Sequence, residues 1–163
     1  MSEQRNIKIL IKTTRFEVDA SLFSTDDMLD EIETEPAENT EPDELEIKTE
    51  GIFEIKDGRI EMSYDESDIT GMEGSRTCVY FDTIADGVVT MLRTGTVSTS
   101  LTFEQGKRHH CVYNTPYMPF EVCVKTLSVK NEIAEIGELS LDYVVEIRGA
   151  KAERTKFFMK IMN

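Results

Sequence analysis

The chain of 163 residues is short of most features that carry recognisable chemistry. Its three cysteines, Cys78, Cys111 and Cys123, include no CxxC pair, and its two histidines, His109 and His110, are adjacent. There is no G-x-S-x-G elbow, no P-loop and no dinucleotide fingerprint. The serines and histidines show no triad spacing, although spacing alone does not exclude one. No run approaches the roughly 18 apolar residues needed to span a bilayer. The first apolar stretch, Ile7 to Ile11, is interrupted by Lys8 and closed by Lys12, which is not the h-region of a signal peptide. These absences point to a cytoplasmic protein with reduced thiols. A Cys111–Cys123 disulfide between neighbouring strands is the alternative.

Basic residues are also scarce, with 18 Lys and Arg against 32 Asp and Glu and a formal net charge of −14. Such a chain is repelled by DNA, RNA and anionic membranes, so neither nucleic acid nor a membrane is an expected partner. The excess is uneven. Ser24 to Asp43 holds nine acids and no Lys or Arg. The other 143 residues carry 23 acids and 18 bases, an ordinary balance. Most of the net charge thus belongs to one segment. Within it, Met28, Leu29 and Ile32 give a weak helical spacing over Asp26–Glu35, with Thr25-Asp26 as a cap. Pro36, Pro42 and high charge without aromatics predict disorder from Glu33 to Asp43.

Everywhere else the dominant pattern has a period of two. Ile7, Ile9 and Ile11 share a face. So do Leu45, Ile47, Thr49, Gly51, Phe53 and Ile55, then Ile60, Met62 and Tyr64, then Thr77, Val79 and Phe81. Val97, Thr99, Leu101 and Phe103 follow, with Phe120 to Thr126, Leu139 to Ile147 and Thr155 to Ile161 completing the series. Asp57-Gly58, Asp86-Gly87 and Gln105-Gly106 are turn signals between successive runs. Short strands at this spacing read as an all-β sandwich or barrel. Consecutive hairpins imply a meander, and closure removes its exposed edges. The expectation is one all-β domain over residues 1–163: a single antiparallel up-and-down β-barrel of about 8–10 strands. Residues 24–43 form an acidic insertion between its first two strands.

The most unusual local sequence is Tyr64-Asp65-Glu66-Ser67-Asp68-Ile69-Thr70-Gly71-Met72-Glu73-Gly74. Its glycines suit a tight loop and its short polar side chains can bond nearby amides. Functionally it reads as a loop at the barrel mouth that presents Glu66, Thr70 and Glu73; structurally it reads as a hairpin connection. It lacks the ligand spacing of a calcium loop. Arg93 shares a parity with Val89 and Met91, so it either turns into the barrel or balances acids on the surface. Tyr113 and Tyr117 flank Thr115-Pro116, as cavity lining or as aromatic packing at the barrel end. Adjacent strand residues point to opposite faces, so His109 and His110 cannot easily share an ion. His109 with Cys111 is two ligands short of a zinc site. No metal or cofactor is expected.

Several of these stretches resemble one family. Tyr64-Asp65-Glu66-Ser67, Thr70-Gly71-Met72-Glu73-Gly74, Arg93-Thr94-Gly95, Phe103-Glu104-Gln105-Gly106 and Tyr113-Asn114-Thr115-Pro116-Tyr117 stand in the order seen in the DUF1934 or YwiB-like family of small bacterial proteins of unknown function. The resemblance spans about Asn6 to Met162, apart from the acidic segment. It implies a calycin-like (lipocalin-like) β-barrel and almost nothing about chemistry. Two features depart from the family. Met118-Pro119 follows Thr-Pro-Tyr where glycine is usual, and the acidic insertion is longer than expected.

Barrel pattern, resemblance and missing catalytic motifs together give a non-enzymatic protein that binds a small, partly apolar ligand in its interior. The candidate site is Tyr64, Glu66, Thr70 and Glu73 at one mouth, with Arg93, Tyr113 and Tyr117 as lining. The link from fold to ligand is analogy. The competing expectation is a solid barrel that meets a protein partner, a basic one by its charge, through its outer surface or the acidic segment. A hydrolase or isomerase would instead require a pocket with a strongly perturbed Glu, His or Cys.

Overall fold

The computed structural model describes residues 2–18, 42–66, 74–95, 98–113, 120–147 and 152–162, with the side chains of residues 2, 112, 113, 120 and 147 left aside. Ten strands are present: β1 (Ser2–Val18), β2 (Asp43–Lys56), β3 (Arg59–Asp65), β4 (Arg76–Asp82), β5 (Val88–Thr94), β6 (Thr99–Glu104), β7 (Arg108–Tyr113), β8 (Phe120–Glu132), β9 (Glu138–Ile147) and β10 (Ala152–Met162). They form one antiparallel sheet in the order β6-β5-β4-β3-β2-β1-β10-β9-β8-β7. Every neighbour in that order is also a neighbour in sequence, except the pair β1–β10. This is the expected up-and-down meander, curled into a nearly closed barrel with its seam between β6 and β7.

Alternation decides which side chains fill the barrel. Cross-strand register stacks them into rows. One row runs Phe53–Met62–Val79–Met91–Leu101 across β2 to β6. Below it, Ile55, Ile60 and Phe81 align across β2 to β4, and Val89 faces Phe103 across β5 and β6. Ile9, Ile11, Val122, Val124, Leu139, Leu141, Phe157 and Met159 close in from the other half. The Phe103 and Tyr143 rings meet with centroids 4.5 Å apart, so the two halves touch across the interior. All but Ile55, which is partly buried and packs against the rest, belong to one buried cluster of 21 residues. A smaller cluster of Phe16, Val18, Val144 and Ala152 sits apart, on the opposite parity of β1.

Several local features are finer than the alternation. β1 runs 17 residues because the parity of Ile7 to Ile11 continues through Thr13 and Arg15, which a count of apolar residues passes over. Asp57 (φ 53°) and Gly58 (φ 80°) both lie in the left-handed region, as a two-residue hairpin turn requires. At Gly51 an added Cβ would come within 2.5 Å of Ile9 Cδ1 and 2.6 Å of the Ser63 carbonyl oxygen. A side chain is excluded there, which lets β1, β2 and β3 crowd together. One helical turn, α1 (Ile133–Ile136), links β8 to β9 and ends on Gly137, whose N–H donates to the Ile133 carbonyl at 3.1 Å. The sequence reading placed helical spacing at 26–35 instead, which lies outside the described residues, as does Ser24–Glu41 of the acidic insertion. Asp43, its last residue, already opens β2. Among the described residues no helix is long and apolar enough to cross a membrane.

The seam is closed without a ladder between β6 and β7 among the described residues. Thr126, fully buried beside a bulge in β8, does much of the work. Its carbonyl accepts from Gly106 N–H at 2.9 Å and its own N–H donates to the Lys107 carbonyl at 3.1 Å. Its hydroxyl accepts from Glu104 N–H at 3.3 Å. His109 Nε2 meets Glu104 Oε1 at 3.3 Å beside it. Thr126→Val keeps the shape and removes one acceptor. The expected loss is about 1–2 kcal/mol in urea unfolding with an unchanged m-value.

Candidate functional site

Odd-numbered strands all end at one rim of the barrel, and even-numbered strands begin there. Near this rim the inward row changes character. Tyr64 of β3, Thr77 of β4, Arg93 of β5 and Thr99 of β6 are in direct register, continuing a row that starts with Ile7 of β1 and Gly51 of β2. The rows deeper in the barrel are apolar; this one is polar. Glu66, just past the end of β3, joins it, anchored by its own N–H donating to the Ser75 carbonyl at 2.8 Å.

The contacts are specific. Thr77 Oγ1 donates to Glu66 Oε1 at 2.6 Å. Arg93 Nε donates to Thr77 Oγ1 at 3.2 Å, and Arg93 Nη2 reaches Glu66 Oε1 at 3.4 Å. The Glu66 side chain is 3% exposed and that of Arg93 16%, so this is a buried ion pair with its cation nearer the solvent. Burial, reinforced by the Glu66 charge, holds the Tyr64 phenol protonated well above its usual 10.0. Thr99 is buried beside Arg93, and its hydroxyl has no hydrogen-bond partner among the described residues. On the outer face the next residues of the same strands make an ordinary surface pair, Arg76 Nη1 to Asp65 Oδ1 at 2.8 Å. That exposed pair is worth at most about 1 kcal/mol.

Three of the seven sequence candidates therefore converge: Tyr64, Glu66 and Arg93. The open question of Arg93 is answered by register, which turns it inward with Val89 and Met91. Tyr113 is the last residue of β7, at the same rim. Thr70, Glu73 and Tyr117 lie outside the described residues. Thr77 and Thr99 were missed as site residues. Each read as a strand-forming threonine on an apolar parity. The available signal was that β4, β5 and β6 each carry a polar residue at the rim end of that parity.

Other groups are arranged differently. The three cysteines are free. Cys111 faces Val122 and Cys123 faces His110 across β7 and β8, which sets the two thiols on opposite faces of the sheet and rules out the alternative disulfide. Burial raises the Cys111 and Cys123 thiols, and pushes Cys78, with Glu61 nearby, up to about 11. None is activated towards a thiolate. Among the described residues no three His, Cys, Asp or Glu side chains form a metal-binding group. A cleft of about 500 Å³ is lined by Gly51 and Tyr64 together with Lys8, Glu50, Asp65 and Arg76, while Glu66, Thr77, Arg93 and Thr99 are not part of its lining.

Fold and site together define a small all-β barrel whose packed apolar interior is topped by a polar layer. The sequence matches the family described as Domain of unknown function (DUF1934) over residues 31–159, and the chain belongs to that family. Among solved structures it is similar to the ywiB protein from Bacillus subtilis, with a TM-score of 0.63 over 98% of this chain and 94% of that one. At 15% identity that likeness speaks for the fold. No curated protein matches the sequence.

Two outcomes follow from the buried cluster. Arg93→Met strands the Glu66 carboxylate, and the expected cost is about 3 kcal/mol, read as a lowered urea midpoint. Adding Glu66→Gln to that variant recovers part of the loss. For Tyr64, the folded-state pKa lies above the unfolded value of 10.0, so its contribution is complete below pH 10 and is lost as pH rises beyond it. Tyr64→Phe is expected to flatten the decline in stability above pH 10, measured as Tm against pH.

Proposed function

We propose that the protein is a non-enzymatic, cytoplasmic binder of a small, partly apolar ligand, held at the polar rim of the barrel rather than deep inside it. One observation carries the reading: a charged pair and a threonine hydroxyl with no partner among the described residues are buried side by side at one rim of the barrel, above apolar rows. Buried polar groups without full satisfaction lower stability, and natural chains tolerate them chiefly at functional sites. The packed apolar rows beneath confine any ligand to the rim. Raised rather than lowered thiol pKa values agree with binding instead of nucleophilic catalysis.

Native mass spectrometry of protein purified from its own cytoplasm tests the proposal. The expected result is a non-covalent adduct of low mass that disappears on denaturation and is reduced in Arg93→Met. The bare chain mass in both forms argues for the second reading, a solid barrel used as a protein-interaction module. That reading is favoured by the contiguous core of 21 residues. Its partner is a basic protein drawn to the nine acids of Ser24–Asp43, and capture is then lost when that segment is deleted.

A further inference from the structure

The rim site has two properties that together specify the kind of head group it would hold. Its charge is already balanced, because Arg93 and Glu66 face each other at 3.4 Å. Its hydrogen bonding is not complete. The Thr99 hydroxyl has no partner among the described residues, although the residue is only 4% exposed. The two guanidinium bonds described, from Nε and Nη2, use part of a group with five N–H donors. On the acidic side, Thr77 and Arg93 both bond Glu66 through Oε1 and the Tyr64 phenol also donates to this carboxylate, which leaves part of its about four lone-pair sites for a ligand. The site thus presents donors from Arg93 and Thr99 beside an acceptor on Glu66, with no net charge.

We propose that this site selects an uncharged head group that both accepts and donates hydrogen bonds, of which a primary carboxamide is the simplest, and discriminates against a carboxylate. The inference rests on the rim-binding reading above and adds the ligand class. A carboxamide oxygen takes N–H from Arg93 and O–H from Thr99, and its NH₂ donates to Glu66. A carboxylate of the same shape brings a second negative charge next to Glu66 in a site largely shielded from water, where like charges repel strongly. It also has no proton to give Glu66. A cationic head group meets the converse penalty at Arg93. Thr99 completes the selection, since its hydroxyl costs free energy while unpaired and gains a partner only when an acceptor arrives.

Octanamide and octanoate form a matched pair of probes that differ only in the head group. Isothermal titration of the full chain at pH 7 is expected to show octanamide binding at least about tenfold tighter, the discrimination of one like-charge contact at a partly buried site. Glu66→Gln removes the repelling charge, and the preference is expected to shrink or reverse. Thr99→Val keeps the side-chain shape and weakens octanamide severalfold while leaving the fold intact, because no bond within the protein is lost. Tighter binding of octanoate to the wild-type chain overturns the ligand class and leaves the rim site standing. Absence of binding by either probe, or binding of both that Thr99→Val and Arg93→Met leave unchanged, overturns the rim site itself.

Discussion

The pairing of β1 on both of its edges is the constraint on which the barrel depends. β2 lies along one edge from Ser2 to Arg15, and β10 lies along the other from Lys8 to Val18. Without the second ladder the strands would form two separate sheets, β1 to β6 and β7 to β10, with one edge of β1 bare. With it, the two ends of the sheet are driven together at β6 and β7. The gap that remains is small enough for one buried threonine, one turn and one histidine–carboxylate contact to bridge. The seam is therefore a by-product of where the long ladder falls, and it is held by a few separate main-chain and side-chain bonds rather than by a strand register.

Closure also determines what the polar row costs. Thr77 and Arg93 in an open sheet would reach water, and their bonds to Glu66 would be worth little. Inside the barrel the same groups are cut off from solvent, so each must find a partner or be paid for by the core beneath. Glu66, Thr77 and Arg93 satisfy one another. Thr99 does not take part, although it occupies the next position of the same register. An apolar residue there would pack as well and avoid the penalty. The row thus sets three satisfied groups beside a neighbour with no partner among the described residues; the Thr13 hydroxyl, elsewhere on β1, is in the same state.

Much of this was legible in the sequence. Alternation identified the inward faces of nearly every strand, and the Asp-Gly and Gln-Gly steps located the turns of the meander. Tyr64, Glu66 and Arg93 stood out because a phenol, a carboxylate and a guanidinium are conspicuous near loops. Three things were not legible, each for a physical reason. The partnership between Glu66 and Arg93 depends on register across β3, β4 and β5, which local periodicity does not encode. Thr77 and Thr99 have the same β-forming character whether they bear on a site or fill a strand. The turn of helix at Ile133–Ile136 is four residues long, too short to leave a period, and is set by the left-handed Gly137 that ends it.

The order of strands has a consequence for how the chain reaches this state. Eight of the nine ladders join strands that follow one another in sequence and can form as hairpins while the chain is being made. The ladder between β1 and β10 joins the first strand to the last, with Lys8 opposite Met162. Because β1 is made before β10, it must hold one edge, with Ile7, Ile9 and Ile11 on its inward face, unpaired until β10 has been synthesised. Such non-local pairing slows folding, and a bare apolar edge is an invitation to other chains. Lys8, between those isoleucines, and Lys12, just after them, keep charge on that strand through the wait.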